Sequence, residues 1–189
     1  MNPAVTNELE AAEAMSTCPG CGLVALVNNG PCDPYGGSSP ACWATFNAVT
    51  AKDYGEYQYP EVHRLIVDAY MSQHATFAPP AGRRSVVVHL VGLYLVLERG
   101  MKGAAVGRTL GQVFPDKRDV TSLAPKPLPG PMTIASVLAA ANFEDHDRRG
   151  RAWALSVWSV WAPRHEWIQS LAKEALARRR VPGTDRPSR

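Results

Sequence analysis

The sequence predicts an all-α protein, an irregular helical bundle with a zinc-knuckle-like CxxC loop near its N-terminus. Three observations carry that prediction. Apolar residues recur at helical spacing in several stretches bounded by Pro, Gly or Ser signals. No internal repeat and no convincing strand pair interrupts them. A single Cys-Pro-Gly-Cys turn, Cys18 to Cys21 in "STCPGCG", precedes the helical stretches.

The elements follow in order along the chain. After an N-terminal extension over residues 1–15 come the CxxC turn and the loop "NNGPCDPYGGSSP", irregular because Gly and Pro punctuate it throughout. Ser39 followed by Pro40 forms an N-cap and first-turn pair that opens a helix through "PACWATFNAVTAKDY", stopping before Gly55. A second helix starts near Pro60, where Val62, Leu65, Ile66 and Ala69 form one stripe. The run Ser85 to Arg99, "SVVVHLVGLYLVLER", is rich enough in β-branched residues to suit a strand, but its length and the closing Gly100 favour a buried helix. Residues 103–132 read as a Pro/Gly-rich connection with a short helical turn in "AAVGRTLGQVF", and a minor helix follows in "TIASVLAAAN". The last helix is long and tryptophan-rich, and Pro163 divides or kinks it. Residues 16–178 are thus expected to form one domain, followed by a disordered basic tail over 179–189.

With 189 residues the chain can bury a core without disulfides. Its 20 Lys and Arg against 17 Asp and Glu give a formal charge of +3, too slight to argue for a nucleic-acid or membrane field over the surface. The acidic first residues lack an apolar leader core, and the longest apolar run, Val86 to Leu97, falls short of the roughly 20 residues that cross a bilayer. Cytoplasmic location follows as an expectation. There, cysteines at 18, 21, 32 and 42 suit metal ligation or reactivity better than disulfides.

Cys18 and Cys21 place two thiolates on one tight turn, which is half of a zinc site and needs two more ligands. A redox reading of the same turn wants a βαβ context that the chain does not show, and a plain turn is the bland alternative. Cys42 falls in the first turn of a helix, where the macrodipole favours a thiolate, although taken alone a small buried hydrophobe beside Trp43 is the slightly favoured role. Cys32, in the Gly/Pro loop, is the weaker candidate. His63, Tyr70 and His74 share one helical stripe, distinct from the Val62/Leu65/Ile66 stripe; His74 closes the helix, while His63 by itself reads as a partly exposed surface residue. Asp68 lies on neither stripe and is placed to orient an imidazole from a neighbouring element. His89 stands among Val and Leu, where one carbonyl or hydroxyl partner would satisfy it, but a nearby CxxC makes it a ligand candidate. His165 follows Pro163 as a kink residue or polar wall, and His146, inside "EDHDRRGR", reads as solvated. The tryptophans at 153, 158, 161 and 167 read as core. No GxGxxG, phosphate loop, GxSxG elbow or HExxH appears.

Taken together, "CPGCG", "SPACW", "VHRLIVDAY…QH" and "SVVVHL…LVLERG" resemble a bacterial domain family of unknown function. The resemblance covers most of residues 16–172, including "LPGPMTIASVL" and "VWSVWAPRHEW", and its matching positions are Cys18, Cys21, Cys42, His63, Asp68, His74, His89 and His165. It implies a small soluble bacterial protein with a metal site and names no reaction. Cys32 lies outside the family pattern, and Arg164 replaces a frequent second histidine before His165. The sequence therefore supports a zinc-binding helical protein in which Cys18 and Cys21 join two of Cys42, His74 and His89. If one position holds water, the chain is a metal-dependent enzyme on a small molecule, with His63, Asp68 or Tyr70 moving protons. The alternative is a zinc-stabilised adaptor or nucleic-acid module using the basic "ARRR" run, against which the slight net charge counts. A thiol redox pair at Cys18 and Cys21 is the third reading.

Overall fold

A computed structural model describes residues 14–33, 37–75, 80–113 and 129–179. Most of the N-terminal extension, the basic tail beyond residue 179, and the middle of the 103–132 connection fall outside these residues. Among those described, the structure is a helical bundle with one small hairpin, and none of its helices is long and apolar enough to cross a membrane.

The hairpin corrects the expectation of no strand pair. Strand β1 (Met15–Thr17) pairs antiparallel with β2 (Val24–Leu26), in the register Met15 to Leu26 and Thr17 to Val24. Strands of three residues are too short to show alternation in sequence, so the pairing was not legible. Its effect is to hold the CxxC turn at the hairpin tip. Cys18 N–H donates to Leu23 O at 2.8 Å, Gly22 N–H donates to Cys18 O at 2.9 Å, and Gly22 takes φ +79°, a left-handed conformation that favours glycine.

Helix α1 (Pro40–Gly55) begins as its sequence predicts: Ser39 is extended, its hydroxyl accepts from Cys42 N–H at 3.2 Å, and Pro40 occupies the first turn. Helix α2 (Val62–Gln73) starts two residues later than Pro60 suggested and lies at the centre, packed against α3 (Pro80–Leu97) and α6 (Phe143–Val160). Val62, Leu65, Ile66 and Ala69 are all fully buried. The ambiguous apolar run resolves as helix α3, with Val87, Leu90 and Leu93 buried completely. Continuous apolar character suits a helix enclosed by neighbours as well as a central strand, and here α2, α6 and two further helices, α4 (Gly103–Val113) and α7 (His165–Arg179), enclose it.

The 103–132 connection is more structured than its glycines implied. Helix α4 (Gly103–Val113) runs three turns, with Val106 and Leu110 buried, and tertiary packing against α2, α3 and α7 outweighs the low propensity of its three glycines. A short helix α5 (Ile134–Leu138) follows. Helix α6 is capped by Asn142, whose side chain accepts from Asp145 N–H at 3.0 Å, and carries Glu144 and Asp145 where the macrodipole favours acids. Pro163 falls in a 3-10 turn (Ala162–Arg164), which separates α6 from α7 (His165–Arg179) as its missing N–H dictates.

The tryptophans are core, as expected. Trp153, Trp158 and Trp161 are buried and Trp167 is half-buried. Burying a tryptophan removes about 150–250 Å² from water, or about 4–6 kcal/mol gross each. Two of these indoles are paired: Trp153 Nε1–H donates to Gln73 Oε1 at 3.2 Å, and Trp158 Nε1–H to Glu98 Oε1 at 3.0 Å.

Candidate metal centre

The hairpin tip, the first turn of α1 and the end of α2 meet at one point. Cys18 and Cys21 come from the turn, Cys42 from the first turn of α1, and His74 from the residue that closes α2. The three sulfurs and one imidazole nitrogen all lie within 4.8 Å of one another, and the four residues are only 1%, 3%, 0% and 1% exposed, in sequence order. Cys21 Sγ is 3.6 Å from Cys42 Sγ, and Cys42 Sγ is 3.3 Å from His74 Nε2. A tetrahedral ion with sulfur ligands at about 2.3 Å and nitrogen at about 2.0–2.1 Å sets sulfurs about 3.8 Å apart and sulfur from nitrogen about 3.5 Å. The observed edges lie close to both values. A Cys3His set of this shape is able to hold a metal ion.

Local structure holds His74 and Cys18 in place. His74 Nδ1–H donates to Tyr70 O at 2.8 Å, one turn back on α2, which leaves Nε2 as the nitrogen that faces Cys42. Ser39 N–H donates to Cys18 Sγ at 3.4 Å, so the cap residue of α1 also steadies a thiolate of the turn. Gly37 N–H donates to His74 O at 3.2 Å, tying the loop before α1 to the end of α2. Gly20 sits so tightly that a Cβ there would overlap the His74 ring and stand 2.8 Å from Gly37 O. The turn therefore needs glycine for close approach.

The electrostatics are those of acidic groups crowded around one point. Hydrogen bonding from Cys21 and then Cys42 holds the Cys18 thiol far below the usual range. Cys18 and Cys21, together with burial, push the Cys42 thiol above it. Burial opposes charge on His74, but hydrogen bonds to Cys18 and Cys21 outweigh it and hold the imidazole up at about 9. Without a cation, three thiols and an imidazole cannot all shed their protons in this volume. A divalent ion removes that conflict.

The other candidates fall into separate networks. His89 does not join the cysteines: its Nδ1–H donates to Asp68 Oδ1 at 2.7 Å, and Arg64 clamps the same carboxylate with bonds of 2.8 and 2.6 Å. Asp68 thus orients an imidazole from the neighbouring helix, as its position off both stripes suggested. Tyr70 lies beside the cluster, its ring 4.2 Å from that of His74, and burial raises its hydroxyl well above the phenol range. Cys32 is exposed. His165 stacks on Trp158 at 3.8 Å and donates through Nε2–H to Trp158 O at 2.9 Å.

His63 is not the partly exposed residue expected, and His146 is not solvated; both are buried. Their shared partner is Asp53, on the buried face of α1. His63 Nδ1–H donates to Asp53 Oδ2 at 2.8 Å, and His146 Nε2–H to Asp53 Oδ1 at 2.7 Å. Sequence reasoning missed Asp53, since a lone aspartate in "AVTAKDY" carries no motif. His146 did carry a signal, because it lies in phase with Gly150, Trp153 and Val157, the buried stripe of α6.

A family profile matches residues 16–162, a span that contains all four cluster residues as well as Asp53, His63, Asp68, His89 and His146. No curated protein and no solved structure matches the chain. The chain belongs to the family of unknown function DUF5946.

Proposed function

We propose that this chain is a zinc protein in which Cys18, Cys21, Cys42 and His74 ligate one Zn2+ as a closed, fold-organising centre. The observation that carries the reading is the convergence of four buried donor atoms from three separate elements within 4.8 Å. Thiolate and imidazole donors in near-tetrahedral array suit zinc better than magnesium or calcium, which take oxygen ligands. His74 fills the fourth position, so the set has the four-ligand form of structural sites rather than the three-ligand form that leaves room for a reacting water. Zinc there would pin the hairpin to the start of α1 and the end of α2. A reducing compartment such as the cytoplasm suits this chemistry.

The reading in which zinc activates water for His63, Asp68 and Tyr70 has less support, because His63 and Asp68 belong to networks apart from the cluster, with Asp53 and with Arg64 and His89. Metal analysis of the purified protein tests the proposal. One zinc per chain is expected in the wild type, and its loss in the Cys18→Ser/Cys21→Ser double variant. Equal zinc in both proteins would sink the idea.

A further inference from the structure

The Asp53 network is independent of the metal centre and has a feature that a purely structural network does not need. His63 spends its Nδ1–H on Asp53, which fixes the tautomer and leaves Nε2 as an acceptor. Facing that nitrogen at 3.4 Å is the hydroxyl of Tyr54, a residue 63% exposed at the end of α1. A buried carboxylate, an imidazole oriented by it and an accessible hydroxyl on the far nitrogen reproduce the roles of a nucleophilic triad, whose nucleophile-to-base distance is often loose before substrate binds.

The surroundings fit this role. The rings of Tyr54 and Tyr59 pack on His63 with centroids 5.0 and 4.6 Å away. Tyr59, 55% exposed, is held there by a turn in which Gln58 and Tyr59 take φ of 52° and 61°, left-handed conformations that non-glycine residues adopt at a cost. Tyr59 N–H donates to Asp53 O at 2.6 Å, so the strained turn is anchored on the same residue that orients the histidine. His146 closes the other side of Asp53, with Tyr57 against its ring at 4.8 Å. The groups facing His63 are therefore Asp53, Tyr54 and Tyr59, with His146 beyond the shared carboxylate.

We propose that Tyr54 is an activated nucleophile that accepts acyl groups from small aromatic esters. His63 is its base, and Asp53 is a positioning residue. As Tyr54 Oη bonds to the ester carbonyl carbon, its proton passes to His63 Nε2. The bond from that carbon to the leaving oxygen breaks, the leaving phenolate departs with the electron pair, and His63 returns its proton to the phenolate or to solvent. The product is an O-acyl tyrosine and a phenol. Tyr59, exposed and with its ring centroid 5.5 Å from that of Tyr54, offers a stacking surface to the aromatic leaving group.

The proposal rests on no part of the metal reading, and its test uses the full-length protein with p-nitrophenyl acetate at pH 7.5. Peptide mass spectrometry is expected to find acetyl on Tyr54 in preference to the similarly exposed Tyr59, with a rate ratio on the order of 10²-fold, the usual contribution of a positioned base. Tyr54→Phe should abolish the nitrophenolate burst, and His63→Gln should bring the two tyrosines to within a few-fold. The proposal is overturned by absence of acetyl on Tyr54, by comparable labelling of Tyr54 and Tyr59 in the wild type, or by an unchanged ratio in a folded His63→Gln protein. Should that variant not fold, 15N NMR of the wild-type imidazole decides. An Nδ1–H tautomer with Nε2 accepting supports the relay, whereas Nε2–H ends it, a distinction that burial alone would not produce.

Discussion

Replacing Cys42 by serine tests the metal centre most directly. Cys42 is fully buried, 3.6 Å from Cys21 Sγ and 3.3 Å from His74 Nε2, and serine differs from it mainly by oxygen for sulfur. Structural zinc sites bind with an apparent free energy of about 10–16 kcal/mol over four ligands. An equal share per ligand is about 3 kcal/mol, so the variant should bind zinc on the order of 10²-fold more weakly. At free zinc well above the dissociation constant, a hundredfold loss of affinity removes about 2.7 kcal/mol of linked stability. For a chain of this size that corresponds to a fall in Tm of roughly 5–11 °C. Competition against a chromophoric chelator measures the first quantity, and calorimetry at fixed free zinc the second. If Cys42→Ser kept wild-type affinity, or if chelation left the wild-type Tm unchanged, the four residues would not be a zinc site and their convergence would be packing alone.

Two further perturbations address the surroundings. Gly20→Ala places a methyl group against the His74 ring and 2.8 Å from Gly37 O, so it should destabilise by about 1–3 kcal/mol, the usual cost of overpacking, and weaken zinc in the same competition assay. Asp53→Asn breaks a buried carboxylate bonded to two imidazoles and should cost about 3–5 kcal/mol at pH 7 by chemical denaturation. Its pH dependence has a definite sign. Burial opposes the Asp53 charge, but the bonds from His146 and His63 outweigh it and hold the carboxyl below its ordinary value. That contribution is present above the unfolded aspartate range, about pH 4, and is lost as pH falls through the lower folded value, so the wild type and Asp53→Asn should converge in stability in acid. A difference that stayed constant from pH 7 to pH 3 would refute the assignment.

Much of the fold was legible because its helices announce themselves locally. Ser39 and Pro40 mark the start of α1, the Val62/Leu65/Ile66/Ala69 stripe marks α2, and Pro163 marks the break between α6 and α7. What was missed lacks a local signature. The hairpin strands are three residues each, and α4 forms despite its glycines because Val106 and Leu110 have neighbours to bury against. His146 was hidden by the charges around it: Arg148 and Arg151 turn to solvent and pair with Asp145 and Asp147, while the histidine turns inward.

By itself the sequence determined that the chain is helical, that Cys18 and Cys21 offer two thiol donors on one turn, and that Cys42, His74 and His89 were the candidates to join them. These follow from residue type and from spacing within one turn or one helix, which local geometry fixes. Only the tertiary structure shows which of these candidates stand beside Cys18 and Cys21. His74 closes α2 where its end meets the hairpin tip, whereas His89 lies on α3 facing Asp68, and no pattern within either helix records which neighbour its imidazole will find. The same holds for Asp53, His63 and His146, drawn from three helices onto one carboxylate. Their meeting is set by how α1, α2 and α6 pack, because long-range contacts arise from burying faces against one another and not from the order of residues along any one of them.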